Sequence, residues 1–312
     1  MNNYSVLQHP SRHVWDFWYT YDEKQKLFHV FYLNAPSQLV ADNQHHFSSC
    51  VGYATTRDFE TMHWKKYDVF CADKKGWDNT SIWTGDIIRI ANGFLLFYTS
   101  RDQKIHDGLT QQIGMAYSTN IHEWQRVDTL CLQADNTYYE EKSLREEQTI
   151  HAWRDPYVFQ HNNNTYMLVT AKSKHSALNR KGTVALLRMK DSLSEWEILP
   201  PLYAPNLYSE CEVPRIYYNR DKLYLTFSCA AKYDFSSADN KGGLYAVELS
   251  NLTETSTKIA ECILSEKQLY AAMILPELQG DIVGFHPKGG LQRKHFTCNW
   301  QHINRNFSHI NL

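Results

Sequence analysis

The chain is patterned as short apolar, aromatic runs separated by polar turns. Residues 27–33, 94–99, 166–170 and 223–227 are such runs, and each reads as a β-strand. Each is followed by a second recurring unit. Residues 51–58 lead to His63-Trp64, residues 113–120 lead to Glu123-Trp124, and residues 184–191 lead to Glu195-Trp196. Residues 243–250 form a weaker copy that lacks the Trp. Every copy reads as a strand, a polar turn and the start of a further strand. Ala91-Asn92-Gly93, His161-Asn162-Asn163-Asn164 and Asn219-Arg220-Asp221 supply turn residues. A fifth, poorer set lies between residues 269–275 and 281–285. Units recurring at roughly 60 to 70 residues, with strands and no long helical period, predict a β-propeller. Five units fill the 312 residues. The expectation is an all-β, five-bladed β-propeller with four-stranded antiparallel blades, residues 1–312 forming one catalytic domain. Residues 138–147 are charged and predict a solvated helical insertion.

Three acidic segments interrupt this pattern: Trp15-Asp16-Phe17-Trp18, Trp153-Arg154-Asp155-Pro156 and Glu210-Cys211-Glu212-Val213-Pro214. Each sets a carboxylate beside an aromatic, an Arg or a Pro. Asp16 is expected just before the inner strand of unit one, Asp155 before that of unit three and Glu212 before that of unit four. Equivalent blade positions converge on one end of a propeller's channel, so distant residues can meet there. A lone acid at a strand end is usually only a turn cap. Three at equivalent blade positions argue for chemistry. Two carboxylates facing across a pocket suffice to split a glycosidic bond, one attacking or stabilising the sugar cation and the other protonating the leaving oxygen.

These residues resemble the furanosidase-type five-bladed propellers of glycoside hydrolase families 32 and 68, with families 43 and 62 as more distant relatives. The resemblance implies residue roles. Asp16, in a motif similar to the family 68 form, is the expected nucleophile. Asp155 is the expected transition-state stabiliser, held ionised by Arg154. Glu212, two residues before Pro214, is the expected general acid/base, and Glu210 an accessory acid. Trp83-Thr84-Gly85 resembles the family's Trp-Ser-Gly segment, and Trp15, Trp83, Thr84, Arg154 and Glu210 are expected to bind substrate. The Asn-Asp-Pro-Asn-Gly box of family 32 does not occur among these residues, and a single domain without the family's C-terminal β-sandwich is expected. The implied activity is cleavage of a furanosyl, chiefly β-fructofuranosyl, oligosaccharide with retention, the sugar passing to water in hydrolysis or to a second sugar in fructosyl transfer. Two other readings stand beside it: an inverting arabinofuranosidase- or xylosidase-like hydrolase of the family 43 kind, and a propeller that binds carbohydrate without catalysis.

Composition narrows the partners. A net charge of −2 argues against nucleic acid or an anionic membrane, which leaves a small carbohydrate. No apolar run approaches the roughly 18 residues that span a bilayer, and the N-terminus lacks the features of a secretory signal. Seven scattered cysteines without a Cys-x-x-Cys predict free thiols and a cytoplasmic protein, with no cofactor and no metal. His45-His46 lacks a carboxylate at metal spacing and is assigned no role. His151 reads as a polar loop residue, and Lys288-Gly289-Gly290 as a turn of the last unit.

Overall fold

The computed structural model describes residues 4–141, 151–237, 239 and 241–310. Five antiparallel sheets surround a central channel as the blades of a propeller. Blade 1 comprises β1 (Arg12–Asp22), β2 (Leu27–Pro36), β3 (Cys50–Thr56) and β4 (His63–Trp64). Blade 2 comprises β5 (Trp83–Ile90), β6 (Gly93–Arg101), β7 (Gln111–Ser118) and β8 (Gln125–Leu132). Blade 3 comprises β9 (Trp153–His161), β10 (Asn164–Lys172), β11 (Gly182–Met189) and β12 (Trp196–Tyr203). Blade 4 comprises β13 (Glu212–Asn219), β14 (Lys222–Cys229), β15 (Gly243–Leu249) and β16 (Glu261–Ser265). Blade 5 comprises β17 (Tyr270–Leu275), β18 (Asp281–Phe285) and β19 (Leu291–Lys294).

The four-stranded expectation fails in two blades. Blade 5 has three strands, and its outer edge pairs instead with the N-terminal segment, Leu7 and Leu291 exchanging two backbone hydrogen bonds of 2.7 and 3.1 Å. Gly290 (φ +88°) makes this approach possible, since a Cβ there would sit 2.6 Å from the Leu7 carbonyl. Blade 4 has five strands. The C-terminal β20 (Gln301–His302) pairs with the channel edge of β13, and the chain then crosses to bridge Phe307 to Ile90 of blade 2.

Five apolar clusters hold the blades together, one per interface. Phe31, Leu33 and Tyr53 of blade 1 meet Leu96 and Tyr98 of blade 2. Leu95 and Phe97, the alternate residues of the same β6, meet Met167 and Val169 of blade 3. Leu168 and Leu186 meet Leu225 and Phe227 of blade 4, Leu244 meets Ile274 and Ile282 of blade 5, and Met273 and Val283 return to Val30 and Tyr32 of blade 1. Successive residues of a strand point to opposite faces. A middle strand buried on both faces must therefore be apolar at every position, which is why β2, β6, β10 and β14 read as unbroken apolar runs.

The innermost strand of every blade carries one extra residue near its start. The register skips at Trp15/Phe17, Trp83/Gly85, Arg154–Tyr157, Glu212–Arg215 and Tyr270–Met273. Asp155, Val213 and Ala271 adopt positive φ (59°, 51° and 42°) at three of these bulges. A bulge re-aims side chains, and here five bulges share one level of the channel. The acids thus lie within the innermost strands, not before them as expected.

Two further expectations are corrected. Cys50 and Cys71 form a disulfide with a Cα–Cα distance of 4.6 Å, joining the start of β3 to the segment that pairs beside it through Val51 and Phe70. Cys131, Cys211, Cys229, Cys262 and Cys298 are free. The expected helix does not begin at 138–141. Tyr139 is buried instead, bridges Ser173 and donates its hydroxyl to the Leu199 carbonyl. The remainder, 142–147, lies outside the described residues. No described helix is long and apolar enough to cross a membrane.

Candidate active site

The bulged level of the channel opens into a pocket of about 110 Å³ whose wall includes Asp16, Asp155, Glu212, Trp15, Trp83 and Arg154. The chain thus brings together all three predicted acids and three of the five predicted substrate contacts. Thr84 and Glu210 lie behind the wall and support it. Thr84 is buried and its Oγ1 donates 2.6 Å to Asp16 Oδ2. Glu210 is gripped from two sides, by Arg154 Nη2 at 2.9 Å and by Lys172 Nζ at 2.5 Å.

Arg154 does not pair mainly with its neighbour Asp155, as the sequence suggested. Its Nη2 bonds both Glu210 Oε2 and Glu212 Oε1 at 2.9 Å, whereas Asp155 Oδ2 is 3.7 Å from Nε. Asp155 is held instead by the Thr170 hydroxyl at 2.9 Å and the Val213 N–H at 3.0 Å. The positive φ at Asp155 and Val213 accompanies this bond, so the bulges of blades 3 and 4 are joined through one carboxylate. Strain at a β-branched Val persists only where the surroundings fix it.

The electrostatics are those of a crowded carboxylate cluster around a single guanidinium. Burial pushes Asp16 up to about 7; the Asp155 and Glu212 charges add to this, and the Thr84 hydroxyl opposes it. Burial also raises Glu212, helped by Glu210 and Asp155, against the pull of Arg154 and the Tyr270 hydroxyl. Asp155 is raised by burial, against Arg154, the Val213 N–H and Thr170. Burial would raise Glu210 too, but Arg154 and Lys172 outweigh it and hold this carboxyl below the ordinary range. Burial disfavours the Arg154 cation, yet its three carboxylate neighbours raise it further. Hence Glu210 and Arg154 stay charged, while burial favours the protonated forms of Asp16, Asp155 and Glu212, three acids close enough for the charge on one to bear on another.

Sequence reasoning missed two polar residues in the wall. Tyr270 donates its hydroxyl to Glu212 Oε2, and it comes from blade 5, where the repeat is weakest. His46, set aside with His45, lines the pocket between Trp15 and Trp83, with ring centroids 5.8 and 5.5 Å away. Burial, then the neighbouring His45 and Arg101, pushes its pKa down to about 4. A neutral imidazole offers a hydrogen bond and no charge. The His46 carbonyl accepts 2.8 Å from Trp83 Nε1, and Arg101 lies over the Trp83 ring at 5.3 Å, which fixes that indole. His151 is outside the pocket wall and buried, not on the surface, 3.8 Å from Glu140. Lys288-Gly289-Gly290 forms the turn between β18 and β19.

Comparison with known proteins places the fold. The N-terminal domain of glycosyl hydrolases family 32 matches residues 19–268, a span containing Thr84, Asp155 and Glu212. Sucrose-6-phosphate hydrolase of Bacillus subtilis (strain 168) is 29% identical over 181 residues, which are 56% of this chain and 32% of that protein. The match therefore spans about a third of that relative's length. A variant of the Microbacterium saccharophilum K-1 beta-fructofuranosidase superposes with a TM-score of 0.72 at 19% identity, covering 92% of this chain and 70% of that one. The kestose-bound inulosucrase of Halalkalicoccus jeotgali superposes with a TM-score of 0.67 at 16% identity, covering 90% and 79%. At such identities the two structures establish the shared propeller, while the family match extends over most of the sequence, and on that ground the chain belongs to glycosyl hydrolase family 32.

Proposed function

We propose that this protein is a retaining β-fructofuranosidase, with Asp16 as nucleophile, Glu212 as general acid/base and Asp155 as the group that stabilises the oxocarbenium-like transition state. The observation that carries this reading is the placement of the three carboxylates in one small pocket, each with a different set of partners. Among the described residues the side-chain donor to Asp16 is the Thr84 hydroxyl, which bonds Oδ2 and leaves Oδ1 to attack an anomeric carbon. Glu212 sits where burial and two carboxylate neighbours favour the protonated form needed to protonate a leaving oxygen. Asp155 receives a backbone and a hydroxyl bond that hold it still while it binds sugar hydroxyls. Arg154 joins Glu212 to Glu210, and so fixes the acid/base without contributing a proton itself.

In the first step Asp16 bonds to the anomeric carbon as the glycosidic bond breaks, and Glu212 gives its proton to the departing oxygen. In the second, Glu212 takes a proton from water, whose oxygen bonds to the anomeric carbon and displaces Asp16. The similarity to a sucrose-6-phosphate hydrolase supports a fructoside as substrate, with a phosphorylated disaccharide among the candidates. The small pocket volume favours one terminal sugar unit over the interior of a polymer. The test is incubation with sucrose, sucrose 6-phosphate, raffinose, kestose and inulin, with proton NMR of the first-formed anomer. Release of β-fructofuranose supports the proposal. Release of the α-anomer sinks retention, and the absence of fructose release from every fructoside sinks the substrate class.

A further inference from the structure

The inner strands run on past the pocket, and their later halves enclose a second, larger chamber of about 800 Å³ at the other end of the channel. The returning C-terminal segment, from His302 to Ser308, forms part of its wall. Arg215, three residues beyond Glu212 on β13, also lines it. Arg215 is 4% exposed, and its guanidinium lies 4.6 Å from the centre of the Tyr157 ring. Its Nη1 is fully buried without a hydrogen-bond partner, and no ion pair to Arg215 is present among the described residues.

The other buried charges in the wall are already matched. Arg305, 4.8 Å from the same Tyr157 ring, bonds Asp86 at 2.6 Å and the Ile87 carbonyl at 3.0 Å. Glu277 bonds His302 at 3.0 Å and the Tyr19 hydroxyl at 2.9 Å. Glu23 is exposed and bonds Lys26 at 3.0 Å. Lys24 and Arg89, both exposed, add positive charge at the rim. A guanidinium cannot escape burial by losing its proton. A buried charge without a hydrogen-bonded counterion is costly, and this one faces a space large enough to hold one.

We propose that this chamber binds a small oxyanion, a phosphate group either free or carried on a small polar ester, with Arg215 as its anchor. A planar guanidinium presents paired donors that suit phosphate oxygens. The site is separate from the catalytic pocket and does not depend on the reaction assigned above. It is electrostatically linked to that pocket, however, because Arg215 is among the groups that oppose the upward push of burial on Asp155. An anion on Arg215 would weaken that opposition.

The experiment uses the whole protein. Inorganic phosphate and fructose 6-phosphate are titrated calorimetrically into the wild type, Asp16→Asn, Arg215→Lys and Arg215→Met, and tungstate is soaked into wild-type crystals to locate the anion. We expect tungstate on Arg215 in the chamber, unchanged phosphate affinity in Asp16→Asn, and a loss of about tenfold or more in Arg215→Met with a smaller loss in Arg215→Lys. Tighter binding of phosphate than of the ester, or the reverse, identifies which source of the oxyanion the site takes. The proposal is overturned if the wild type binds neither probe, if tungstate lies only in the catalytic pocket or elsewhere, or if Arg215→Met binds as the wild type does. Should Arg215→Met fail to fold, the tungstate position in the wild type decides alone.

Discussion

Replacing Thr84 by Val tests the electrostatic account of the pocket most directly. Val keeps the shape and the branching of Thr and removes only the hydroxyl that donates 2.6 Å to Asp16 Oδ2. A hydrogen bond to a charged group contributes about 1.5–3 kcal/mol. At 1.36 kcal/mol for each pH unit, its loss moves the ionisation of Asp16 upward by about 1 to 2 units. The direction follows from the chemistry, since the lost donor favoured the carboxylate over the acid. With the wild-type Asp16 at about 7, half of the molecules carry an ionised nucleophile at neutral pH. In Thr84→Val that share falls to between roughly one in ten and one in a hundred, so kcat/KM at pH 7 drops about 5- to 50-fold. Activity returns toward wild type as the pH is raised, up to the point where Glu212 loses its own proton. The assay is kcat/KM on a confirmed fructoside from pH 4 to 10, with circular dichroism as the folding control. An acidic limb that stays in place, or moves to lower pH, in a folded variant would refute the reasoning.

Four other outcomes are expected. Asp16→Asn should abolish turnover with the fold intact, because the amide matches the acid in shape and cannot attack; wild-type rates by product analysis would remove Asp16 from the mechanism. Glu212→Gln should lose most activity on sucrose and retain much more on a fructoside with a good leaving group, which needs little protonation; equal losses on both substrates would count against an acid role. Asp155→Asn should lower kcat more than it raises KM, since its hydrogen bonds strengthen as charge develops on the sugar; a rise in KM alone would make it a ground-state contact. Phe307→Ala should cost about 3–5 kcal/mol of stability, because the ring is fully buried between blades 2 and 3; a loss below about 1 kcal/mol in denaturant titration would mean that the C-terminal segment does not dock.

The sequence was most legible where a constraint acts on neighbouring residues. The middle strands are buried on both faces, so β6 and β10 appeared as unbroken apolar runs, and the turn and Trp after the third strands of blades 1 to 3 repeated visibly. Trp15, Arg154 and Pro214 marked the acids because each flanks its acid in sequence. The innermost strands were harder to place, because the extra residue at Asp16 or Asp155 breaks the alternation by which a strand is recognised. Tyr270 and His46 reach the pocket from segments with no repeat of their own. Cys50 and Cys71 meet only through the pairing of Val51 with Phe70, and a separation of 21 residues carries no trace of that. Arg154 bonding Glu212 more closely than Asp155 depends on where a side chain points, which its neighbours in sequence do not fix.

The five bulges have a consequence for how such a pocket can change. In a regular strand the side chain beside the channel is tied to its neighbours, because inserting or deleting one residue turns every later side chain to the opposite face. The extra residue at the start of each innermost strand already takes up that offset. Asp16, Thr84, Asp155, Val213 and Ala271 can therefore differ in chemistry from blade to blade while Phe17, Ile87, Val158, Ile216 and Met273, farther along the same strands, remain buried between the sheets. Substitutions at the bulged positions should alter what the pocket does, and substitutions a few residues later should alter whether the ring closes. The scaffold separates inheritance of shape from inheritance of chemistry within single strands of eleven residues or fewer.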